Sequence, residues 1–320
     1  MLEKCITDNY DVEVKDIKLF TSHFGTEIFI VQTNKGKYFV KTVLNKWANS
    51  EAMENEGHIT EYVHNNGISV ARLSKTKNGM YHAKAEDITF HVQEYIEGEV
   101  LQVNTAPAWF MEKSAITIGE IHSILKSYGE ISRKNDFLDK SVINHLKNRY
   151  TKKLKEAKKH KNSQLIFAFE ERIRHFDRVL AFDIDASKLT YSNAHSDFNI
   201  RNNIVTADKK FTVIDWTTAC RMPVCFEVIR SYVFAEPACR CGKINSGGFI
   251  RYLNNYLKYF SLNDYDIQMM PYIFYFQQMI WNYTPPFDDV VETYMPMCKL
   301  IQNFTKWLYD NVEKLSEELL

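Results

Sequence analysis

Residues 191–219, YSNAHSDFNIRNNIVTADKKFTVIDWTTA, decide the fold of this chain and hold the polar side chains on which its functional interpretation rests. The pattern predicts a strand, a loop, a hairpin and a second loop. His195 and Asp197 stand in the first loop, Asn202 follows Asp197 by five residues, and Asp215 ends the hairpin. A carboxylate that takes a proton, with an amide and a second carboxylate that hold Mg²⁺, is the set of groups that phosphoryl transfer requires.

The pattern H-x-D-x-x-x-x-N followed by I-D-W resembles the aminoglycoside phosphotransferase and choline kinase superfamily, which shares the protein-kinase-like fold. The resemblance implies that Asp197 is the catalytic base and that Asn202 and Asp215 bind the metal. The superfamily usually has glycine between the histidine and the aspartate, whereas this chain has Ser196, which is small enough to keep the loop compact. The alternative is a structural hairpin whose Asp and Asn side chains close Asx-turns.

The composition predicts a globular protein, because 45% of its 320 residues are apolar and 14% are aromatic. Lys plus Arg equals Asp plus Glu at 40 each, so the net charge is zero and gives no general attraction to nucleic acid or to an anionic membrane. Residues 1–14 lack the apolar segment of a signal peptide, and the apolar run 272–281 is too short to span a bilayer. We therefore expect a cytoplasmic monomer or homodimer, with neither nucleic acid nor a membrane as partner.

Four of the six cysteines, Cys220, Cys225, Cys239 and Cys241, are close together in the sequence. Their spacing, C-x4-C-x13-C-x-C, lacks the paired C-x2-C of structural zinc sites. Free thiols in a reducing compartment are the favoured interpretation.

The first part of the chain has the pattern of an antiparallel sheet. Residues 28–33 and 37–43 predict two strands joined by the turn Asn34-Lys35-Gly36, and residues 80–84 and 88–95 predict two more. The resemblance places the loop that covers the nucleotide phosphates on residues 21–27, where Gly25 is the only glycine. By itself this segment is equally compatible with an ordinary hairpin turn.

Lys41 shares one face of its predicted strand with Phe39 and Val43, so it is either a lysine at the sheet edge or a functional charge. The resemblance implies the functional role, a lysine that holds the α- and β-phosphates and is itself held by a carboxylate.

The helix predicted over residues 50–66 offers three carboxylates for Lys41, namely Glu51, Glu54 and Glu56. Glu56 best fits the family spacing to the G-I-S-V segment at residues 67–70, and we assign it as the partner of Lys41.

Residues 90–101, FHVQEYIEGEVL, resemble the family segment that leaves the small lobe. The resemblance implies that backbone groups from Glu94 to Ile96 bind adenine and that Gly98 lets the chain turn. An edge strand without such a role is the alternative.

Beyond residue 97 the pattern changes from strand to helix. Helices are predicted from Thr105-Ala-Pro107 onward, through the basic segment 145–161, and over residues 163–180, 246–260, 267–283 and 290–319. We expect packing roles for His122 and Glu227 and a solvated helix face for residues 145–161, rather than a nucleic-acid site. The resemblance suggests that acidic groups near the C-terminal helices bind a cationic acceptor, and those available are Asp264, Asp266, Asp288, Asp289 and Glu292.

These patterns predict an α+β, bilobal, protein-kinase-like fold with a nucleotide-binding antiparallel lobe at 1–97 and a mainly helical catalytic and substrate lobe at 98–320. The resemblance implies an ATP- and Mg²⁺-dependent phosphotransferase acting on the hydroxyl of a small, amine-bearing molecule of the choline, ethanolamine, homoserine or aminoglycoside type. The alternative is a spore-coat-type kinase homologue that acts on protein or serves as a non-catalytic nucleotide-binding scaffold. The sequence determines neither the acceptor nor a preference for ATP over GTP.

Overall fold

The computed structural model describes residues 1–23, 26–46, 49–129, 131, 137–281 and 295–320. In chain order, the described elements are α1 (Leu2–Asn9), β1 (Val14–His23), β2 (Thr26–Thr33), β3 (Gly36–Leu44), α2 (Ser50–Asn65), β4 (Ala83–Ala85), β5 (Ile88–Glu94), β6 (Glu99–Val100), α3 (Ala108–Leu125), α4 (Lys140–Lys159), α5 (Ser163–Leu180), β7 (Tyr191–Ala194), β8 (Asn203–Val205), β9 (Phe211–Val213), β10 (Cys220–Pro223), α6 (Val224–Ala235), α7 (Ser246–Tyr256), α8 (Asp264–Ile280) and α9 (Met295–Leu319). Antiparallel strands followed by helices give the α+β class that the sequence predicts.

The chain divides into two compact units. Unit 1 comprises Met1–Leu101, Ile124–Arg133 and His195–Cys220, and unit 2 comprises Gln102–Ser123, Lys134–Ala194 and Arg221–Leu320. The loop and hairpin of residues 195–220 therefore belong to the same unit as the N-terminal sheet. The lobe boundary at residue 97 stays a prediction.

The main sheet of unit 1 has the strand order β1-β2-β3-β5-β4, and its neighbouring strands are antiparallel. Lys41 in β3 lies opposite Ile28 of β2 and His91 of β5. Because side chains alternate across a strand, Val40 points to the other face, where it joins the apolar core. That core contains Ile6, Tyr10, Val31, Val40, Ala83, Phe90 and Val92.

Two features of this sheet differ from the sequence-based expectation. Helix α1 was not predicted, because an eight-residue segment is too short for a clear helical period. It nevertheless contributes Ile6, and the residue after its end, Tyr10, is also buried in the core. The strand predicted at residues 80–84 is shorter and later, since β4 covers Ala83–Ala85.

Helix α2 begins after Asn49, whose side-chain oxygen accepts a hydrogen bond from the Ala52 amide at 3.0 Å. Within the helix, Gly57 allows Tyr81 to pack directly on the backbone, because a Cβ at this position would lie 2.0 Å from the Tyr81 ring. The helix ends at Asn65, before Gly67, which has a left-handed φ of 96°.

The hairpin β8–β9 is fixed to the segment that follows α2. Val213 forms a parallel bridge with Val70. Its amide donates to the carbonyl of Ser69 at 2.9 Å, and its carbonyl accepts from the amide of Ala71 at 3.3 Å. The predicted G-I-S-V segment thus holds the strand that leads into Asp215.

Unit 2 is mainly helical and contains buried polar groups that are hydrogen-bonded. His122 of α3 contacts Tyr256 through Nδ1 and Glu227 through Nε2, each at 2.9 Å. These contacts support the packing roles expected for His122 and Glu227.

Among the described residues, no helix is both long and apolar enough to cross a membrane.

Helix ends in unit 2 differ modestly from the predictions. Helix α7 ends at Tyr256 rather than at residue 260, and α8 covers Asp264–Ile280 rather than 267–283. Helix α9 is described from Met295, with Pro296 in its first turn, and residues 282–294 lie outside the described residues.

Candidate active site

His195 connects the two loops that carry the predicted site residues. It is fully buried, and its Nδ1 accepts a hydrogen bond from the Asp197 amide at 3.2 Å. Its Nε2 lies 3.0 Å from the carbonyl of Ile214, the residue before Asp215. An imidazole that accepts at Nδ1 must donate from Nε2 to make both contacts, so the ring is the neutral Nε2–H tautomer. One side chain therefore sets the positions of both aspartates.

Asp197 and Asn202 are joined directly. The amide nitrogen of Asn202 donates to Oδ2 of Asp197 at 2.7 Å and to its backbone carbonyl at 2.9 Å. Asn199 also donates to the Asp197 carbonyl, at 2.7 Å, and more distantly to Oδ1, at 3.3 Å. These bonds orient the carboxylate, with the shorter side-chain bond from Asn202 on Oδ2 and the longer one from Asn199 on Oδ1.

Asp215 lies at the end of the hairpin, next to Asn202. The amide of Ile214 donates to the Asn202 carbonyl at 3.0 Å. This bond brings Asn202 and Asp215, the two predicted metal ligands, to the same end of the hairpin. The side chain of Asp215 is 46% exposed, and its Oδ1 lies 3.5 Å from Nζ of Lys41. The sheet lysine and the hairpin aspartate, far apart in sequence, thus meet within unit 1.

Thr217 links these charges to Glu56. Its hydroxyl lies 2.6 Å from Oδ1 of Asp215 and 3.3 Å from Oε2 of Glu56, and it accepts from Lys41 at 3.3 Å. Oε1 of Glu56 accepts from the Trp216 amide at 3.1 Å. The structure thus joins Lys41 and Glu56 through Thr217, whereas the sequence predicted a direct pair.

The other two glutamates of α2 have different surroundings. Glu54 contacts Nδ1 of His82 at 2.5 Å and accepts from the Tyr81 amide at 2.8 Å. Glu51 is exposed in the first turn. Glu56 is the candidate whose carboxylate is buried and contacts Thr217, at 3.3 Å.

Burial and the neighbouring charges act on the ionisation of this cluster in opposite directions. Burial alone would raise the pKa of Asp215, but Lys41 and the Thr217 hydroxyl outweigh it and hold the pKa at about 2. Burial would lower the pKa of Lys41, yet Asp215 and Glu56 raise it above its ordinary value. Lys41 and Asp215 are therefore both charged at neutral pH.

Glu56 and His91 lie deeper and respond differently. Burial raises the pKa of Glu56 to about 7, and the Lys41 charge opposes that rise. Burial, reinforced by Lys41, lowers the pKa of His91 to about 3, so this ring is neutral. Its Nδ1 lies 3.9 Å from Oε2 of Glu56.

Two residues of the site adopt left-handed backbone conformations. Ser196 has a φ of 72° and Asp215 has a φ of 63°. A non-glycine residue is strained in this region, and Asp tolerates it better than most. The conformation of Ser196 gives a physical reason for the glycine that the superfamily usually has at this position.

The residues predicted to bind the base are placed at the end of β5. The amide of Glu94 donates to the Arg72 carbonyl at 2.9 Å, and its carboxylate accepts from the Arg72 side chain and amide. The Glu94 N–H is therefore already used. Ile96, two residues after Glu94, is half-buried. Gly25, predicted to cover the phosphates, lies outside the described residues.

Asn202 and Asp215 fit a magnesium ion by their chemistry. Mg²⁺ prefers hard oxygen ligands and usually takes only one or two protein groups besides phosphates and water. Asp215 supplies an ionised carboxylate, and because the Asn202 nitrogen is bonded to Asp197, its amide oxygen is the remaining donor atom. Among the residues the structure describes, no three His, Cys, Asp or Glu side chains form a metal cluster.

Sequence reasoning missed Thr217 and His91. Thr217 was within the quoted stretch but has no motif role, and only the fold shows that it contacts three charged side chains. His91 could have been noticed from strand register, because it lies opposite Lys41 in the antiparallel pair β3–β5.

Other predicted groups have structural roles in the described residues. Asp266 is fully buried and accepts hydrogen bonds from Thr190 and from the Asn263 amide in a capping box, so it is not a group that faces a ligand. Asp288, Asp289 and Glu292 lie outside the described residues. All six cysteines are free thiols, and Cys241 is the exposed one among them.

Comparison with known proteins shows the family to which the chain belongs. The pattern of the phosphotransferase enzyme family (APH) matches residues 16–259. The chain belongs to this family, and it is a phosphotransferase with an alcohol group as acceptor. The predicted resemblance to aminoglycoside phosphotransferases is thereby confirmed.

Solved structures with little sequence identity share the fold. An aminoglycoside phosphotransferase from Alicyclobacillus acidocaldarius aligns with a TM-score of 0.65 at 15% identity, covering 98% of this chain and 97% of that one. Spectinomycin phosphotransferase APH(9)-Ia, in complex with ADP and spectinomycin, gives 0.61 at 13% identity, covering 99% and 98%. A microcompartment-associated aminopropanol kinase gives 0.61 at 12% identity, covering 98% and 97%. The predicted kinase-like fold is confirmed. Proteins of curated function give no match to the sequence.

Proposed function

We propose that the protein transfers the γ-phosphoryl group of Mg-ATP to a hydroxyl of a small, amine-bearing molecule. One observation carries the proposal: Lys41 and Asp215 form an ion pair with Nζ and Oδ1 3.5 Å apart, beside the bonded pair Asp197 and Asn202. This arrangement supports the proposal, because phosphoryl transfer needs a phosphate-binding lysine, a metal-binding carboxylate and a catalytic base close together.

The residues then have separate tasks. Lys41 binds the α- and β-phosphates. Asp215 and Asn202 would hold a magnesium ion, whose charge would screen the phosphates. Asp197 orients the acceptor hydroxyl and accepts its proton as the hydroxyl oxygen bonds to the γ-phosphorus. The bond between that phosphorus and the β–γ bridging oxygen breaks, and ADP leaves.

The amine-bearing acceptor is supported by what similar folds are known to contain. The neighbouring structures include kinases described with spectinomycin and with amicoumacin, as well as an aminopropanol kinase. One of them holds ADP and another AMP-PNP. These ligands belong to those proteins, and they define the acceptors and nucleotides to be tried here.

The test is Mg-ATP turnover by purified protein over a panel of choline, ethanolamine, aminopropanol, homoserine, kanamycin and spectinomycin. ADP release is the readout, and Asp197→Asn runs alongside. We expect acceptor-dependent ADP release that falls about 10²- to 10⁴-fold in the variant, the range for loss of a general base.

Two other outcomes count against this function. If ADP binds in calorimetry but no acceptor raises ADP release above that of Asp197→Asn, the scaffold or protein-kinase alternative takes precedence. If ADP does not bind, the roles given to Lys41 and Asp215 are wrong.

A further inference from the structure

The hydroxyl of Thr217 lies where three charged side chains of unit 1 meet. It donates to Oδ1 of Asp215 at 2.6 Å and accepts from Nζ of Lys41 at 3.3 Å. It also lies 3.3 Å from Oε2 of Glu56. A bond to Asp215 alone could serve only to close a local turn, but Lys41 and Glu56 are 176 and 161 residues away in the chain. The fold therefore brings two distant charges to this one oxygen.

A hydroxyl suits this position because it donates and accepts at the same time. It has one proton and two lone pairs. The proton goes to the carboxylate of Asp215, where the distance is that of a charge-assisted bond, roughly 2.5–2.7 Å between oxygens. The oxygen accepts from the ammonium group of Lys41, which is itself 3.5 Å from the same Oδ1. Thr217, Asp215 and Lys41 thus form a closed triangle of polar atoms.

Glu56 lies on the buried side of this triangle. Its carboxylate is almost fully buried, whereas Lys41 and Asp215 are half-buried. Its Oε1 is held by the Trp216 amide at 3.1 Å, and its Oε2 faces the hydroxyl of Thr217. The glutamate therefore approaches the ammonium group of Lys41 through Thr217.

We propose that Thr217 is a positioning residue for Lys41, and that its hydroxyl holds the ammonium group in place beside Asp215 before the nucleotide phosphates bind. The sequence assigned this task to Glu56. A lysine has a long, flexible side chain, so fixing its ammonium group in advance lowers the cost of binding a phosphate. The proposal rests on the proposed phosphotransferase function, and it extends the nucleotide site to a residue outside the recognised motif.

The test combines calorimetric binding of ADP in Mg²⁺ buffer with steady-state kinetics of ATP turnover. Thr217→Val keeps the branched shape and replaces the hydroxyl by a methyl group, whereas Thr217→Ser keeps the hydroxyl. Thr206→Val is the matched control. Thr206 is a half-buried threonine next to the same hairpin, and its hydroxyl donates to Asp208, two residues away. This control shows what loss of a similar local hydrogen bond does to binding.

We expect Thr217→Val to raise the dissociation constant of ADP and the KM for ATP about tenfold or more, as loss of a hydrogen bond to charged groups does. The kcat should change less than KM, because Asp197 is held by Asn199 and Asn202 rather than by Thr217. Thr217→Ser should restore most of the ADP affinity, and Thr206→Val should bind ADP as the wild type does.

Glu56→Gln compares the two assignments directly. Because Glu56 approaches Lys41 through the hydroxyl, this variant should weaken ADP binding less than Thr217→Val does. The proposal is overturned if Glu56→Gln has the larger effect, if Thr217→Val binds ADP as the wild type does, or if Thr217→Ser is impaired as much as Thr217→Val.

Failure of this role and failure of the proposed function are distinguishable. A wild type that binds ADP and phosphorylates an acceptor, with no dependence on the Thr217 hydroxyl, removes the positioning role and leaves the phosphotransferase intact. ADP binding that depends on the hydroxyl, without transfer to any acceptor, supports the positioning role and contradicts the transfer. A wild type that binds no ADP contradicts both.

Discussion

Two pairs of acidic residues in this protein have opposite surroundings. In unit 2, Glu227 and Asp266 are fully buried, and their carboxylates are hydrogen-bonded within the helical core. In unit 1, Asp197 is half-buried and the side chain of Asp215 is 46% exposed, and both are held by neighbours in and around the hairpin.

The difference distinguishes acidic residues that stabilise the fold from acidic residues that can take part in binding or catalysis. A carboxylate whose oxygens are satisfied inside a core stabilises the fold and has no surface to offer a ligand. A carboxylate held in place but partly exposed can still bind a metal or accept a proton. The left-handed φ of Asp215 fits this interpretation, because strained backbone concentrates at functional sites. Substitutions in the two pairs should therefore affect different properties.

The largest effect is expected from Asp215→Asn. The variant loses the ion pair with Lys41 and the ionised metal ligand, and Asn tolerates the left-handed backbone as Asp does. We expect kcat/KM for ATP-dependent transfer to fall by at least about 10²- to 10³-fold. The urea midpoint at neutral pH should fall only modestly, because the lowered pKa means that ionised Asp215 also stabilises the fold. Asp208→Asn is the matched control, because Asp208 is an exposed carboxylate on the same hairpin. Equal losses in the two variants would contradict the comparison.

Glu56 sharpens the comparison, because it is as buried as the acids of unit 2 but lies in the cluster of unit 1. Its pKa is about 7 in the folded protein against an ordinary value of 4.5, with Lys41, Asp215 and His91 as the facing titratable groups. Its contribution to stability is therefore fully present below pH 4.5 and is lost as the pH rises through 7. The loss is on the order of 3 kcal/mol, at 1.36 kcal/mol for each pKa unit.

Glu56→Gln removes this titration while keeping a side chain of similar shape. Without nucleotide, we expect the free energy of unfolding of the variant to rise relative to the wild type between pH 5 and 7. Urea unfolding of both proteins over this range measures the difference and cancels the shared contribution of His91. A constant difference across the range would show that Glu56 does not take up a proton there.

A moderate and purely structural effect is expected in unit 2. Glu227→Gln exchanges the carboxyl group of the buried His122 contact for an amide. We expect the free energy of unfolding to fall by about 1–3 kcal/mol, the range for leaving a buried polar group without its hydrogen-bond partner. The kcat of the folded variant should stay within about twofold of the wild type. A large loss of kcat with unchanged stability would place Glu227 with the acids of unit 1.

The parts of this molecule that the sequence predicted are those set by local pattern. Lys41, Asp197, Asn202 and Asp215 were predicted from a family resemblance, which a short-range motif in strands and turns makes visible. The structure brings Lys41 and Asp215 together, and the roles of these residues stay predictions. The helices of unit 2 were predicted to within a few residues, since their apolar positions recur at helical spacing.

The parts that the sequence did not predict depend on contacts between distant segments. Thr217 links Lys41 and Glu56 only because the hairpin is fixed to residues 69–71 by the bonds of Val213. Helix α1 is stabilised by burial of Ile6 against the sheet rather than by a helical period of its own. Asp266 was one of several acidic residues that the resemblance made available for a cationic acceptor, and its burial is a property of the fold.

The smallest expected effect is at Ser196, where the loop conformation can be tested apart from the chemistry. A left-handed φ costs a residue with a Cβ roughly 1–2 kcal/mol, and Ser196 has a φ of 72°. Ser196→Gly relieves that strain but adds entropy to the unfolded chain, so we expect a net gain of only about 0.5 kcal/mol. Ser192→Gly is the control: this buried residue lies within β7, where glycine should lower stability by roughly 0.5–1 kcal/mol. Thermal unfolding of the two variants gives shifts of opposite sign if the geometry at Ser196 is the one described, and a loss of stability in both would contradict it. The Asp197 amide donates to Nδ1 of His195, and this hydrogen bond does not use the Ser196 side chain. We therefore expect Ser196→Gly to retain activity while its melting temperature rises.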